Sequence, residues 1–165
     1  MLSEMKRVII IGCSGSGKSY FAKKLRNKTG LPLYHLDNIW WRSDGTNIER
    51  SEFDSILGEL LGRDEWIIDG NYQRTMVQRM DACDTVFFFD LPTEVCLEGI
   101  RERKGKERSD MAWKNAPEKD DAEFVEFIKN YNVEHRPYAL ELLGKYKDKN
   151  IVIFKSREEA ESFLS

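Results

Sequence analysis

The sequence predicts a three-layer α/β/α protein built on a five-stranded parallel sheet, and three observations predict it. Short β-branched or aromatic runs alternate along the chain with segments of helical periodicity, the pattern of parallel strands joined by right-handed helical crossovers. The first run, Arg7 to Ile11, leads directly into a glycine-rich turn and then a helical pattern. Three of the five runs end on an aspartate, which lines carboxylates along the rim where ligands of such sheets gather.

Taken in order, the strands are expected at Arg7 to Ile11, Leu33 to Leu36 ending at Asp37, Trp66 to Ile68 ending at Asp69, Thr85 to Phe89 ending at Asp90, and Ile151 to Phe154. The helix after the first strand shows Phe21, Ala22 and Leu25 at helical spacing. Ser51, with Asp54 three residues on, is expected to cap a helix carrying Phe53, Ile56, Leu57, Leu60 and Leu61 and closing at Gly62. Pro117 is expected to open a helix with Phe124, Phe127, Ile128 and Tyr131 on one face, and Pro137 another containing Leu140 and Leu143. Ser156 with Glu159 caps a last helix that packs Ala160, Phe163 and Leu164.

The turn after the first strand, Gly12-Cys13-Ser14-Gly15-Ser16-Gly17-Lys18-Ser19, fits the phosphate-binding pattern G-x-x-x-x-G-K-[ST] in its required strand-to-helix context. Its glycines let backbone N–H groups curl inward around phosphate oxygens, and the following helix adds the positive end of its dipole. Lys18 is placed to reach the β- and γ-phosphates and Ser19 to give its hydroxyl to Mg²⁺. Tyr20 follows directly and is counted with the nucleotide-binding residues. No N-K-x-D guanine-reading element follows, since Asn27-Lys28-Thr29-Gly30 lacks its aspartate, so ATP is the expected nucleotide.

Composition bounds the rest. The 165 residues, 41% of them hydrophobic, suffice for one domain with a real core and leave no room for a second catalytic domain. A net charge of −3 argues against the basic face that direct nucleic-acid binding requires. No apolar run approaches the roughly 20 residues of a membrane helix, and Met1 to Lys6 is too short and polar for a signal peptide, so a cytoplasmic protein is expected. Cys13, Cys83 and Cys96, odd in number and without C-x-x-C spacing, read as free thiols.

The strand-end aspartates have a chemical use, because Mg²⁺ keeps several waters and is held by one or two carboxylates plus phosphates. Asp69 is the first choice for that contact, while Asp90, followed by Leu91-Pro92 and a capping Thr93, is read mainly as structural. Asp37 is expected to act as general base or acceptor-positioning group, against the alternative of a turn-initiating aspartate. Trp40 and Trp41 lie beside the expected acceptor pocket, where an indole either stacks on a ring or packs as core. His35 reads as a satisfied core histidine and His135 as a helix-junction residue.

Together, Gly12 to Ser19, His35-Leu36-Asp37 with Trp40-Trp41, Trp66 to Tyr72 with its D-G-N-Y element, Phe89-Asp90-Leu91-Pro92 and Arg108-Ser109-Asp110-Met111 resemble the bacterial DNA topology modulation protein family. That family is an offshoot of the adenylate kinase-like P-loop NTPases. The resemblance implies a nucleoside monophosphate kinase-like fold with an acceptor-binding insertion around residues 38–65 and a short lid around 101–120. It implies roles for Lys18 and Ser19 on phosphate and metal, for Asp37 and Asp69 as the two acidic site residues, and for Arg103 as a phosphate clamp. Trp40, Asn71 and Arg74 then join Asp37 and Asp69 on the acceptor side. Gly99 stands where relatives carry an adenine-stacking arginine, so Arg101 would have to substitute. Arg103 and Arg108 are the preferred lid cations, while Lys104 and Lys106 read equally as a solvated helix end.

Three functions follow from this reading: a kinase moving the ATP γ-phosphate to a nucleotide or other small-molecule acceptor, a nucleotide-dependent regulator acting indirectly on DNA topology, and a nucleic-acid binder, which the charge disfavours.

Overall fold

The five strands form one sheet in the order β2-β3-β1-β4-β5, with every neighbouring pair parallel. The computed structural model describes residues 4–103 and 118–165. Its elements are β1 (Arg7–Gly12), α1 (Lys18–Thr29), β2 (Leu33–His35), α2 (Leu36–Trp40), α3 (Arg50–Leu61), β3 (Trp66–Asp69), α4 (Met76–Ala82), β4 (Thr85–Phe89), α5 (Thr93–Arg103), α6 (Glu118–Glu134), α7 (Arg136–Lys145), β5 (Asn150–Phe154) and α8 (Arg157–Leu164). A single 3₁₀ turn, Gln73–Thr75, leads into α4.

The central strands are buried on both faces, which is why they read as unbroken apolar runs. Their period-two alternation nevertheless sorts them. Val8, Ile10, Ile67, Phe87 and Phe89 pack with α1, α5, α6 and α8, whereas Ile9, Ile11, Ile68, Val86 and Phe88 pack with α2, α3, α4 and α7. Phe21 anchors α1 on the first face, its ring centroid 4.9 Å from Phe87, 5.4 Å from Phe89 and 5.3 Å from Phe154. Because Lys18 and Ser19 open that helix, the aromatic cluster fixes where the phosphate loop ends.

The expected caps are partly realised. Ser156 accepts from the Glu159 amide at 3.1 Å, and the Glu159 carboxylate reaches back to the Lys155 N–H rather than to Ser156 itself. Gly62 closes α3, but its N-cap is Glu49 and Ser51 lies inside the helix without capping it. Pro137 sits in the first turn of α7, where its missing N–H costs nothing; Pro117 lies outside the described residues. Leu140 is exposed, and Ala139, Leu142 and Leu143 bury the face instead.

The larger correction concerns Asp37. The second strand ends at His35, and Leu36 starts a five-residue helix, so Asp37 stands in a first helical turn rather than at a strand end. Leu36 is fully buried beneath Gly70, whose own Cβ, were there one, would fall 2.9 Å from the Leu36 Cβ. That contact turns the chain out of the sheet.

Candidate active site

β1 lies between β3 and β4, and its carboxyl end feeds the phosphate loop. Gly15 has φ +80°, and a Cβ there would lie 2.1 Å from the Cys96 carbonyl oxygen, so the loop lies against α5 too closely for any side chain. The Cys13 carbonyl gathers the loop: it accepts from Ser16 Oγ at 2.6 Å and from Lys18 Nζ at 2.9 Å. Gly17 caps α1 without a side-chain bond, so the first amides of the helix have no side-chain cap. These features fit a polyphosphate.

Opposite the loop, the parallel register sets His35 beside Asp69, and His35 Nδ1 lies 2.7 Å from Asp69 Oδ2 with both groups buried. The histidine is therefore satisfied, as expected, by the carboxylate read as the metal contact. From Asp69 the chain turns through Gly70, at φ +136°, into Asn71 and Tyr72. Asn71 Oδ1 accepts from the Gly12 N–H at 3.0 Å, and the Tyr72 hydroxyl donates to Asp37 Oδ1 at 2.5 Å. One loop thus touches the phosphate loop with one residue and the acceptor-side aspartate with the next.

Beneath it lies Arg79 of α4, completely buried. Its guanidinium donates to the carbonyls of Gly70 at 2.9 Å, of Asn71, and of Tyr72 at 3.1 Å, while Nε donates to Thr75 Oγ1 at 3.2 Å. Burial pulls the guanidinium down to about 10, still cationic at neutral pH, and the same burial with the Asp37 charge pushes the Tyr72 phenol up.

Ser19 and Asp69 offer a hydroxyl and a carboxylate, hard oxygen donors suited to Mg²⁺. Among the described residues no group of three or more His, Cys, Asp or Glu side chains could hold a metal ion.

Several expected site residues stand elsewhere. Asn71, expected on the acceptor side, braces the phosphate loop. Arg74 is held in a two-bond ion pair by Asp54, at 2.8 and 3.0 Å, instead of being offered to an acceptor phosphate. Trp40, expected beside the acceptor, packs edge-on against Phe53 at 5.6 Å and near Tyr72 at 6.4 Å. Tyr20 is 59% exposed on α1 with Lys24 over its ring.

Arg101 and Gly99 lie on different sides of α5. A Cβ on Gly99 would meet the Gly15 carbonyl oxygen at 2.1 Å, so Gly99 faces the loop, and Arg101 lies about 200° further round the helix. Its guanidinium pairs with Glu98 and is 75% exposed. Arg103 is the last described residue of α5, and Arg108 lies outside the described residues, as do Lys104, Lys106 and most of the expected lid.

Sequence reasoning missed five residues. Arg79 shares its buried face with Thr75, Met76, Met80 and Cys83, and that helical spacing was the available signal. Tyr72 sat inside the D-G-N-Y element without a role. Arg136 and Lys155 both bind Asp90, whose two oxygens they occupy at 2.5 to 2.9 Å, making it an ion-pair centre. Arg157 reaches from α8 to the Gly15 carbonyl at 3.1 Å. The three cysteines are free and buried.

This sheet order and loop define a P-loop NTPase-like α/β/α fold, and solved structures share it. A shikimate kinase from Bacteroides thetaiotaomicron superposes with TM-score 0.56 at 22% identity, covering 97% of this chain and 94% of its own. A gluconokinase from Sinorhizobium meliloti 1021 gives TM-score 0.56 at 15% identity over 96% of this chain and 87% of its own, and a shikimate kinase from Aquifex aeolicus gives 0.53 at 19% over 96% and 90%. No protein-family model and no curated protein matches the sequence. No helix of the described residues is long and apolar enough to cross a membrane.

Proposed function

We propose that the chain is an ATP- and Mg²⁺-dependent phosphotransferase that passes the γ-phosphoryl group to a nucleotide or other small-molecule acceptor. The observation that carries this reading is the 69–72 loop, which bonds to Gly12 of the phosphate loop through Asn71 and to Asp37 through Tyr72. Two carboxylates and a phosphate cradle then share one rim, as in-line transfer needs.

Residues Gly12 to Ser19 hold the triphosphate, with Lys18 swinging from the Cys13 carbonyl to the phosphates. Ser19 and Asp69 are the residues that would hold magnesium, which would supply charge neutralisation when bound. An acceptor oxygen beside Asp37 forms the new bond to γ-phosphorus as the bond to the β–γ bridging oxygen breaks. ADP leaves with that electron pair, and a hydroxyl acceptor gives its proton to Asp37. Arg103 and Arg108 complete the proposal as lid cations that close on the phosphates. The solved structures that share the fold include a shikimate kinase and a gluconokinase, which supports a kinase reading.

The test is to mix the protein with γ-labelled ATP, Mg²⁺ and separate pools of nucleoside monophosphates, nucleosides and small polyols. Label appearing on one pool supports the kinase. Label released only as slow inorganic phosphate contradicts it and favours the nucleotide-dependent regulator that the topology-modulation resemblance suggests.

A further inference from the structure

We infer that Tyr72 and Arg79 are positioning residues for Asp37: the buried guanidinium sets the 69–72 loop, and the phenol at its end aims the carboxylate. The inference rests on the proposed acceptor role of Asp37 and adds to it the device that holds that group.

Tyr72 is the only non-glycine residue with positive φ among the described residues, at 33°. Side chains rarely adopt that backbone, and it persists where surrounding structure over-determines it. Here the determinant is Arg79, which binds three consecutive carbonyls and the Thr75 hydroxyl. A cation sunk in a helix face of Met76 and Met80 is costly to bury, and these bonds are what compensate it.

The consequence lies one bond further. Asp37 belongs to a helix of five residues, too short to be stable on its own hydrogen bonds. The Tyr72 hydroxyl supplies that hold at 2.5 Å, and the Tyr72 ring is itself fixed between Phe53 at 5.4 Å and Trp40 at 6.4 Å. Because burial and Asp37 keep the phenol protonated, it remains a donor throughout the neutral range.

The experiment is a double-mutant cycle on Tyr72→Phe and Asp37→Asn, read as kcat and as KM for Mg·ATP in the labelled-transfer assay with the acceptor pools. We expect Tyr72→Phe to lower kcat about 10- to 100-fold with KM within about twofold, as a misaimed group does. We expect the double variant to be no slower than Asp37→Asn alone, since the phenol acts only through that carboxylate. Independent losses that multiply, or a Tyr72→Phe protein with unchanged kcat, would overturn the inference while leaving the kinase reading intact. Unchanged transfer in Asp37→Asn would overturn the inference together with the acceptor role of Asp37, and absence of transfer to any pool by the parent protein would overturn the kinase reading itself. If Tyr72→Phe fails to fold, ring-fluorinated tyrosine at position 72 keeps packing and hydroxyl; kcat following the fluorine count supports the inference, and indifference to it contradicts it.

Discussion

His35 Nδ1 and Asp69 Oδ2 meet at 2.7 Å at the carboxyl ends of neighbouring parallel strands, with side-chain exposures of 8% and 7%. The pair links a core histidine to the carboxylate proposed to hold the metal's water. His35→Leu leaves a buried carboxylate oxygen without that partner. We expect a stability loss of about 1–3 kcal/mol in urea melts. We also expect about a tenfold higher Mg²⁺ requirement for turnover, the scale on which outer-shell partners act. An unchanged magnesium titration in a folded His35→Leu protein would separate Asp69 from the metal.

Gly99 carries a second expectation. The atom in the way of a Cβ is the Gly15 backbone oxygen, which cannot rotate aside as a side chain can. Gly99→Ala should cost about 1–3 kcal/mol through overpacking and weaken Mg·ATP binding, because the displaced element is the phosphate loop itself. Calorimetric binding and a thermal melt check this; a variant with normal affinity and melting would show that α5 yields instead of the loop.

These contacts mark where the sequence was legible. The strands and the phosphate loop follow local grammar, a period of two and glycines at fixed spacing, so Arg7–Gly12 and Lys18–Thr29 stand where expected. Asp37 did not, because its helix depends on Leu36 tucking under Gly70, a contact between distant segments. Arg74 meets Asp54 across 20 residues and Arg136 meets Asp90 across 46, and no spacing rule announces such pairs. That Arg101 points nearly opposite to Gly99 was readable locally, because the two stand two residues apart on one helix.

Asp90 yields a pH expectation. Its hydrogen bond from Arg136, then that from Lys155, hold its carboxyl below the usual carboxylate range. A carboxyl lowered in the folded state stabilises above its unfolded value near ~3.9 and loses that contribution as pH falls through the folded value. Asp90→Asn should therefore be about 1–2 kcal/mol less stable than the parent at pH 7. The difference should shrink as the pH falls below about 4. Urea melts at pH 7 and pH 3 test it, and a gap that persists undiminished at pH 3 would contradict the ion-pair origin.

The most direct measurement of the central claim, that nucleotide and acceptor chemistry sit on separate residues of one rim, compares Lys18→Ala with Asp37→Asn. Each is assayed for Mg·ATP affinity by calorimetry and for γ-phosphoryl transfer with labelled ATP. We expect Lys18→Ala to lose transfer and to bind Mg·ATP at least about tenfold more weakly while remaining folded, since Lys18 serves the phosphates. We expect Asp37→Asn to keep its affinity within about twofold and to transfer at least ~100-fold more slowly. An Asp37→Asn protein that loses ATP binding as severely as Lys18→Ala, or that transfers at the parent rate, would contradict the account.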